Sequence, residues 1–109
     1  MVRQGDIIKV DLDPQAGHEQ AGYRPAVVIS NGVFNQRTNL TIVCPIANTN
    51  NRFPLHIPLD KRTETTGVIL CEHIKALDLN ARGYRMVEQL PKDILSKVID
   101  VVYAEIEML

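Results

Sequence analysis

Through most of the chain apolar and polar residues alternate with the period of two that a β-strand imposes. Asp6-Ile7-Ile8-Lys9-Val10-Asp11-Leu12 predicts a half-buried strand, stopped by Asp13-Pro14. Arg24 to Ser30 predicts a second strand, buried along Ala26-Val27-Val28-Ile29, with Pro25 biasing Arg24 toward an extended backbone. Asn31-Gly32 reads as a turn, and residues 33–37 as a single helical turn. Leu40-Thr41-Ile42-Val43-Cys44 follows as an apolar strand closed by Pro45, and Asn48 to Arg52 has loop composition. Leu55 to Leu59 predicts an edge strand, because Pro58 withholds a ladder donor. After a charged loop from Asp60 to Thr65, Thr66 to Glu72 is the candidate central strand, continued by alternation from His73 to Asp78. A turn at Ala81-Arg82-Gly83 precedes the last strand, Tyr84 to Leu90.

The period then lengthens. Pro91 suits the first position of a helix and Asp93 its first turn. Asp93, Ser96, Lys97, Asp100, Ala104 and Glu107 fall on one helical face, and Ile94, Leu95, Val98, Val102 and Ile106 on the other. Many short strands and one terminal amphipathic helix predict a mainly β fold with a C-terminal α-helix. The expected form is a small, strongly bent antiparallel sheet or barrel capped by that helix, in one domain spanning residues 1–109.

One stretch departs from simple alternation in a way that suggests chemistry. Asp13 to Ser30 reads DPQAGHEQAGYRPAVVIS: a polar loop turned twice by Gly17 and Gly22, leading through Pro25 into a buried strand. It places the cation Arg24 at the root of a buried element, with His18, Glu19 and Gln20 just before it. That is the construction of a site on a scaffold.

Composition narrows the classes. An apolar content of 45% supports a real core, and no apolar run approaches the roughly 18 residues of a membrane span. The N-terminus shows no charged-then-apolar leader, so the expectation is a cytoplasmic protein. Cys44 and Cys71 lie in apolar stretches without ligands at short spacing, which predicts buried thiols and no metal site; no cofactor is expected. The net charge of −1 is unevenly spread: residues 1–92 hold 11 Lys/Arg against 9 Asp/Glu, and residues 93–109 hold 1 against 4. A nucleic-acid groove must therefore draw on local positive charge away from the acidic tail.

GHEQAGYRPAVV resembles the signature loop of the MazF/PemK (Kid) family, toxins of type II toxin–antitoxin systems. The opening QGDIIKVDLDP, the central TTGVILCEHIKALD and the following LNARG agree with it, collinearly over essentially the whole chain. The resemblance implies an SH3-like barrel of the PemK/CcdB kind, paired as a homodimer. It also implies a metal-independent, sequence-selective endoribonuclease, an mRNA interferase, acting on single-stranded RNA. The partner would be a MazE-like antitoxin whose disordered acidic tail occupies the RNA groove. In such cleavage the 2′-OH attacks the adjacent phosphate, giving 2′,3′-cyclic phosphate and 5′-OH ends.

Arg24 is the expected phosphate stabiliser, since a guanidinium grips two phosphoryl oxygens and stays charged at any working pH. His18 has the right chemistry for proton transfer near neutrality. Glu19 is expected to act as base or to orient Arg24. Gly17, Gln20, Tyr23, Asn48, Thr49, Asn50, Arg52, Phe53, Thr65, Thr66, Glu72, His73 and Lys75 are the candidate RNA contacts, mixing donors, acceptors, cations and aromatic planes. Arg82 and Arg85 read as a solvated edge.

Two positions depart from the family pattern. The family strand ends in a proline followed two residues later by a threonine that positions the scissile phosphate; aligning on Pro45 puts Ala47 there, without a hydroxyl. The PemK-like branch flanks its central cysteine with Arg and Asp, whereas Leu70 and Glu72 flank Cys71 here. Glu72 is then expected to read a base edge through an exposed amino group.

Two other classes compete. A CcdB-like poison of DNA gyrase would share the fold but would not need the GHEQ…RP loop. An SH3-like adaptor needs an aromatic-lined groove, which a chain with no Trp and only five Phe or Tyr supports poorly. Restoring the family hydroxyl with Ala47→Thr is expected to raise the rate of RNA cleavage; an unchanged rate at saturating RNA would remove this position from the mechanism.

Overall fold

Buried apolar residues on both sides of the first strands set the architecture. The structure is a computed structural model of residues 1–109, and it describes all of them except Gln15, Gln20, Asn50, Asn51 and Arg52. In chain order the elements are β1 (Asp6–Asp11), β2 (Tyr23–Val28), α1 (Gly32–Thr38), β3 (Thr41–Ala47), β4 (His56–Pro58) and β5 (Val68–Leu70). A 3₁₀ turn (Cys71–His73), β6 (Lys75–Leu77), α2 (Leu79–Arg82), β7 (Arg85–Gln89) and α3 (Lys92–Ile106) complete the fold. The strands form one antiparallel sheet in the order β4-β5-β3-β2-β1-β7, with β6 also pairing on β3.

Neighbouring residues on each central strand go to opposite apolar layers. Ile7, Val27, Cys44, Ile46, Ile69 and Cys71 face α3, which supplies Ile94 and Val98. Ile8, Val10, Leu12, Ala26, Val28 and Val43 face the other way, where Val2, Leu77 and Leu79 close over them. β1 is therefore buried on both faces, not half-buried as its pattern suggested. The reason is long-range: α3 covers one side and residues near β6 and α2 cover the other. Cys44 and Cys71 are free thiols within the first layer. The neighbouring Cys71 thiol and then burial push the Cys44 thiol far up, so it stays protonated.

Three elements differ from the pattern reading. The predicted strand over Thr66–Asp78 is broken by the 3₁₀ turn, because β3 pairs with β6 along Thr41–Val43 and with β5 along Ile46–Ala47. Pro45 sits inside β3 rather than closing it, in the interval that separates those two pairings. A residue without an N–H is tolerated where that flank of the ladder is interrupted. Finally, Ile106 is 70% exposed, because α3 outruns the sheet it packs on. The amide caps of α1 explain why it extends to Thr38: Asn31 accepts from the Phe34 amide, and Asn39 takes the left-handed conformation at the C-terminus.

The loop ahead of β5 is held against β7 by a single carboxylate. Glu88 accepts from the amides of Glu64 (3.1 Å) and Thr65 (2.8 Å) and from the Thr65 hydroxyl (2.7 Å). Burial alone would push the Glu88 carboxyl up, but these donors outweigh it and hold it below its ordinary value of 4.5. A carboxyl with a lowered folded-state pKa adds stability above its unfolded value and loses it as pH falls through the folded one. Glu88→Gln is expected to cost about 1–2 kcal/mol at neutral pH. Urea midpoints should show that gap closing as pH drops below 4.5; a gap independent of pH would contradict the assignment.

Candidate active site

The loop between β1 and β2 is closed at its base by the backbone. The Leu12 amide donates to the Gly22 carbonyl (2.9 Å), and the Gly22 amide donates to the Asp13 carboxylate (2.9 Å). Asp13 in turn donates its amide to the Asp11 carboxylate (3.0 Å). From α2, the Arg82 guanidinium donates to the carbonyls of Asp11 (2.9 Å) and Asp13 (2.7 Å), so the root of the loop is clamped by a residue 69 positions on. Arg82 is exposed, as expected of a solvated edge, and it also clamps the loop. Gly17 (φ +57°) and Gly22 (φ +80°) occupy the left-handed region that a Cβ disfavours, at the two bends the sequence marks.

Within the loop, the Ala16 amide donates to the Glu19 carboxylate (3.1 Å) while the Glu19 amide donates to the Ala16 carbonyl (3.2 Å). This reciprocal pair turns the Glu19 side chain back on its own bend. Arg24, the second residue of β2, is half-buried, and its Nε donates to the Ala21 carbonyl at 2.6 Å. Nη1 and Nη2 donate to no described residue.

Beside the loop lies a cleft of about 160 Å³ lined by Leu12, Glu19, Pro45, Glu72, His73, Ile74 and Lys75. Lys75 Nζ donates to the Leu12 carbonyl (3.4 Å) and stands 4.0 Å from Glu19 Oε1. Glu72 Oε2 lies 2.6 Å from His56 Nε2 and 3.8 Å from His73 Nε2. The β2–β3 register pairs Ala26 with Pro45. Continued two residues past that pair, it brings Arg24 level with Ala47 on the same face as the cleft-lining Pro45. A hollow of about 640 Å³ formed by Gly5, Gln89, Leu95 and Ile99, among others, contains no residue of the loop and no carboxylate.

The structure brings Glu19, Glu72, His73 and Lys75 together in one cleft, with Arg24 and Ala47 on the adjoining strand ends. Asn48 and Thr66 meet beside Ala47, where the Thr66 hydroxyl donates to the Asn48 side-chain oxygen (3.2 Å). Gly67 makes that approach possible: a Cβ there would fall 2.5 Å from the Ala47 carbonyl oxygen. His18 and Thr49 are exposed, and Tyr23 is 60% exposed. Phe53 meets His56 edge-to-face at 5.2 Å, so it braces another ring while remaining partly exposed. Thr65 is drawn to Glu88 on β7, so its hydroxyl is already engaged in bracing the fold. Gln20, Asn50 and Arg52 lie outside the described residues.

His56 was missed by sequence reasoning, since a histidine in an alternating strand gives no sign of the carboxylate it meets 16 positions on. Arg82 was missed too, although the LNARG stretch that contains it was itself a signal. Among the described residues no group of three or more His, Cys, Asp or Glu side chains is arranged to hold a metal ion.

Residues 3–104 match the family described as PemK-like, MazF-like toxin of type II toxin–antitoxin system. Endoribonuclease PemK of Escherichia coli is 35% identical over 102 residues, covering 90% of this chain and 77% of that protein. The crystal structure of MazF (Form-I) from Deinococcus radiodurans superposes with a TM-score of 0.91 at 31% identity, covering 98% of this chain and 97% of the other. A MazE–MazF structure (Form-II) from the same organism gives 0.84 at 30% identity, over 99% and 97% of the two chains.

Proposed function

Because the chain belongs to the PemK-like, MazF-like toxin family of type II toxin–antitoxin systems, we propose that the clamped loop and its cleft form the active site for RNA cleavage. The protein is an endoribonuclease toxin, and the gyrase-poison and peptide-adaptor alternatives are set aside. Its substrate is single-stranded RNA, cut at a short sequence by attack of the 2′-OH on the neighbouring phosphate. The nucleophile belongs to the substrate, so the protein's tasks are to take a proton, steady the phosphoryl charge and return a proton to the leaving 5′-oxygen. No metal is required for any of the three.

Arg24 carries the second task. The observation that supports this is its Nε bond to the Ala21 carbonyl, which holds the guanidinium in place and leaves Nη1 and Nη2 without a partner among the described residues. A donor held in place before reaction loses nothing to reorganisation when charge develops. Glu19, facing the cleft, accepts the 2′-OH proton. His18, exposed on the same bend, protonates the leaving oxygen. Glu72, His73 and Lys75 meet the bases and backbone on the far wall, and Gly17, Tyr23, Asn48, Thr49, Phe53 and Thr66 supply further RNA contacts. Ala47 leaves out the family hydroxyl and so weakens the enzyme.

Residues 1–109 act as one endoribonuclease domain, and two copies pair. Met86 and Val87 on β7 and Ile99, Tyr103 and Ile106 on α3 are exposed apolar positions of the kind a second copy covers. An acidic antitoxin segment that folds on binding would compete with RNA for the groove. Among the described residues no helix is long and apolar enough to cross a membrane. We place the protein in the cytoplasm, where messenger RNA is found.

End-labelled single-stranded RNA incubated in excess EDTA should be cut to fragments with 5′-hydroxyl ends. Arg24→Ala should lower kcat by about 10²–10³, the loss expected for one preorganised donor, with an unchanged circular dichroism spectrum. Intact turnover in that variant, or 5′-phosphate ends, would contradict the reading.

A further inference from the structure

His56 is an expensive residue for its position. Its side chain is only 8% exposed, and Nδ1 has no hydrogen-bond partner among the described residues. A buried ring nitrogen without a partner weakens the fold, and an apolar ring of similar size would avoid that cost. Among the described residues the imidazole makes one hydrogen bond, Nε2 to Glu72 Oε2 at 2.6 Å. A carboxylate only accepts, so Nε2 carries the proton and donates.

The surroundings hold that contact in one geometry. Phe53 packs edge-to-face on the ring at 5.2 Å. His56 pairs with Leu70 across β4 and β5, and the Cys71 amide donates to the Leu55 carbonyl (3.3 Å), which ties the 3₁₀ turn carrying Glu72 to the start of β4. His73 approaches the same oxygen, Oε2, at 3.8 Å. Oε1 accepts no hydrogen bond from a described residue, and Glu72 lines the cleft.

We infer that His56 is a specificity-positioning residue: it fixes the Glu72 carboxylate so that the cleft selects a nucleobase bearing an exocyclic amino group. The inference rests on the ribonuclease reading above and names what that site selects. Adenine, cytosine and guanine each offer an N–H₂ donor to a fixed acceptor, whereas the Watson–Crick edge of uracil sets two carbonyl oxygens beside its single N–H. A carboxylate free to turn away would lose this discrimination, because it could relieve the repulsion by rotation. His56 itself touches no RNA and moves no proton in the reaction.

The test uses the full chain and a pool of oligoribonucleotides randomised around one cut site, read by sequencing the 5′-hydroxyl fragments. In the wild type one position should favour amino-bearing bases over uracil. His56→Phe, which keeps a ring against Phe53 but removes the donor, should reduce that preference about tenfold, through KM rather than kcat. His56→Gln, which retains an N–H, should restore most of it. Glu72→Gln should relax the same position, and it keeps the test available if His56→Phe fails to fold. Unchanged preference in His56→Phe or in Glu72→Gln would overturn the inference while leaving Arg24-dependent cleavage, and the ribonuclease reading, intact. A uniform fall in kcat for every sequence would assign His56 a purely structural role and overturn it as well. A wild-type chain that cuts no RNA overturns both readings together.

Discussion

The site depends on the closure of one loop at its base. The Leu12–Gly22 backbone bond, the Asp13 carboxylate on the Gly22 amide and Nη1 of Arg82 on two carbonyls converge on the same few residues. Without them the polar segment between β1 and β2 would leave several backbone groups to water and Arg24 would begin β2 on an unanchored lead. With them, the guanidinium inherits the position of a sheet strand. A neutral hydrogen bond contributes only about 1 kcal/mol net, and those to charged groups about twice that. Their joint effect is larger on geometry than on stability, because each removes a different freedom of the same bend.

The opposite wall of the cleft is built by a different device. β3 is shared by β5 and β6, and the short turn between them carries Cys71 inward and Glu72 outward. The inward thiol belongs to the apolar layer under α3, so helix packing and carboxylate placement are coupled through a single step of backbone. Glu105 on α3 feels the same arrangement: burial, and then the charge of Glu72, push its carboxyl up. Charge near the site is therefore mixed. Lys75 and Arg24 supply the cations, while Glu19 and Glu72 limit the net positive potential, in keeping with a chain whose net charge is −1. Selectivity for a few bases suits such a cleft better than tight, general binding of polyanions.

Much of this was legible in residue order. The strands around Asp6–Asp11 and Tyr23–Val28 and the terminal helix were visible because their periods are local properties. The glycines, Arg24 and Pro25 announced a built loop for the same reason. What could not be read was anything decided by a distant partner. Thr66–Asp78 looks like one strand, and only the double use of β3 shows why it breaks. Pro45 looks like a strand end until the gap in pairing beside it is known. His56 and Arg82 are ordinary surface residues by pattern; they matter because a carboxylate and two carbonyls, far away in sequence, arrive beside them.

We propose that one bound strand of RNA meets both Glu72 in the cleft and Arg24 at the adjoining end of β2. The most direct test is the footprint of a short oligoribonucleotide with 2′-deoxy substitution at the cut site, followed by amide and guanidinium NMR shifts. Perturbations centred on Ala21, Arg24, Ala47, Glu72 and Lys75 are the result expected of the proposed site. Perturbations centred instead on Gly5, Gln89 and Ile99, with the loop silent, would contradict it.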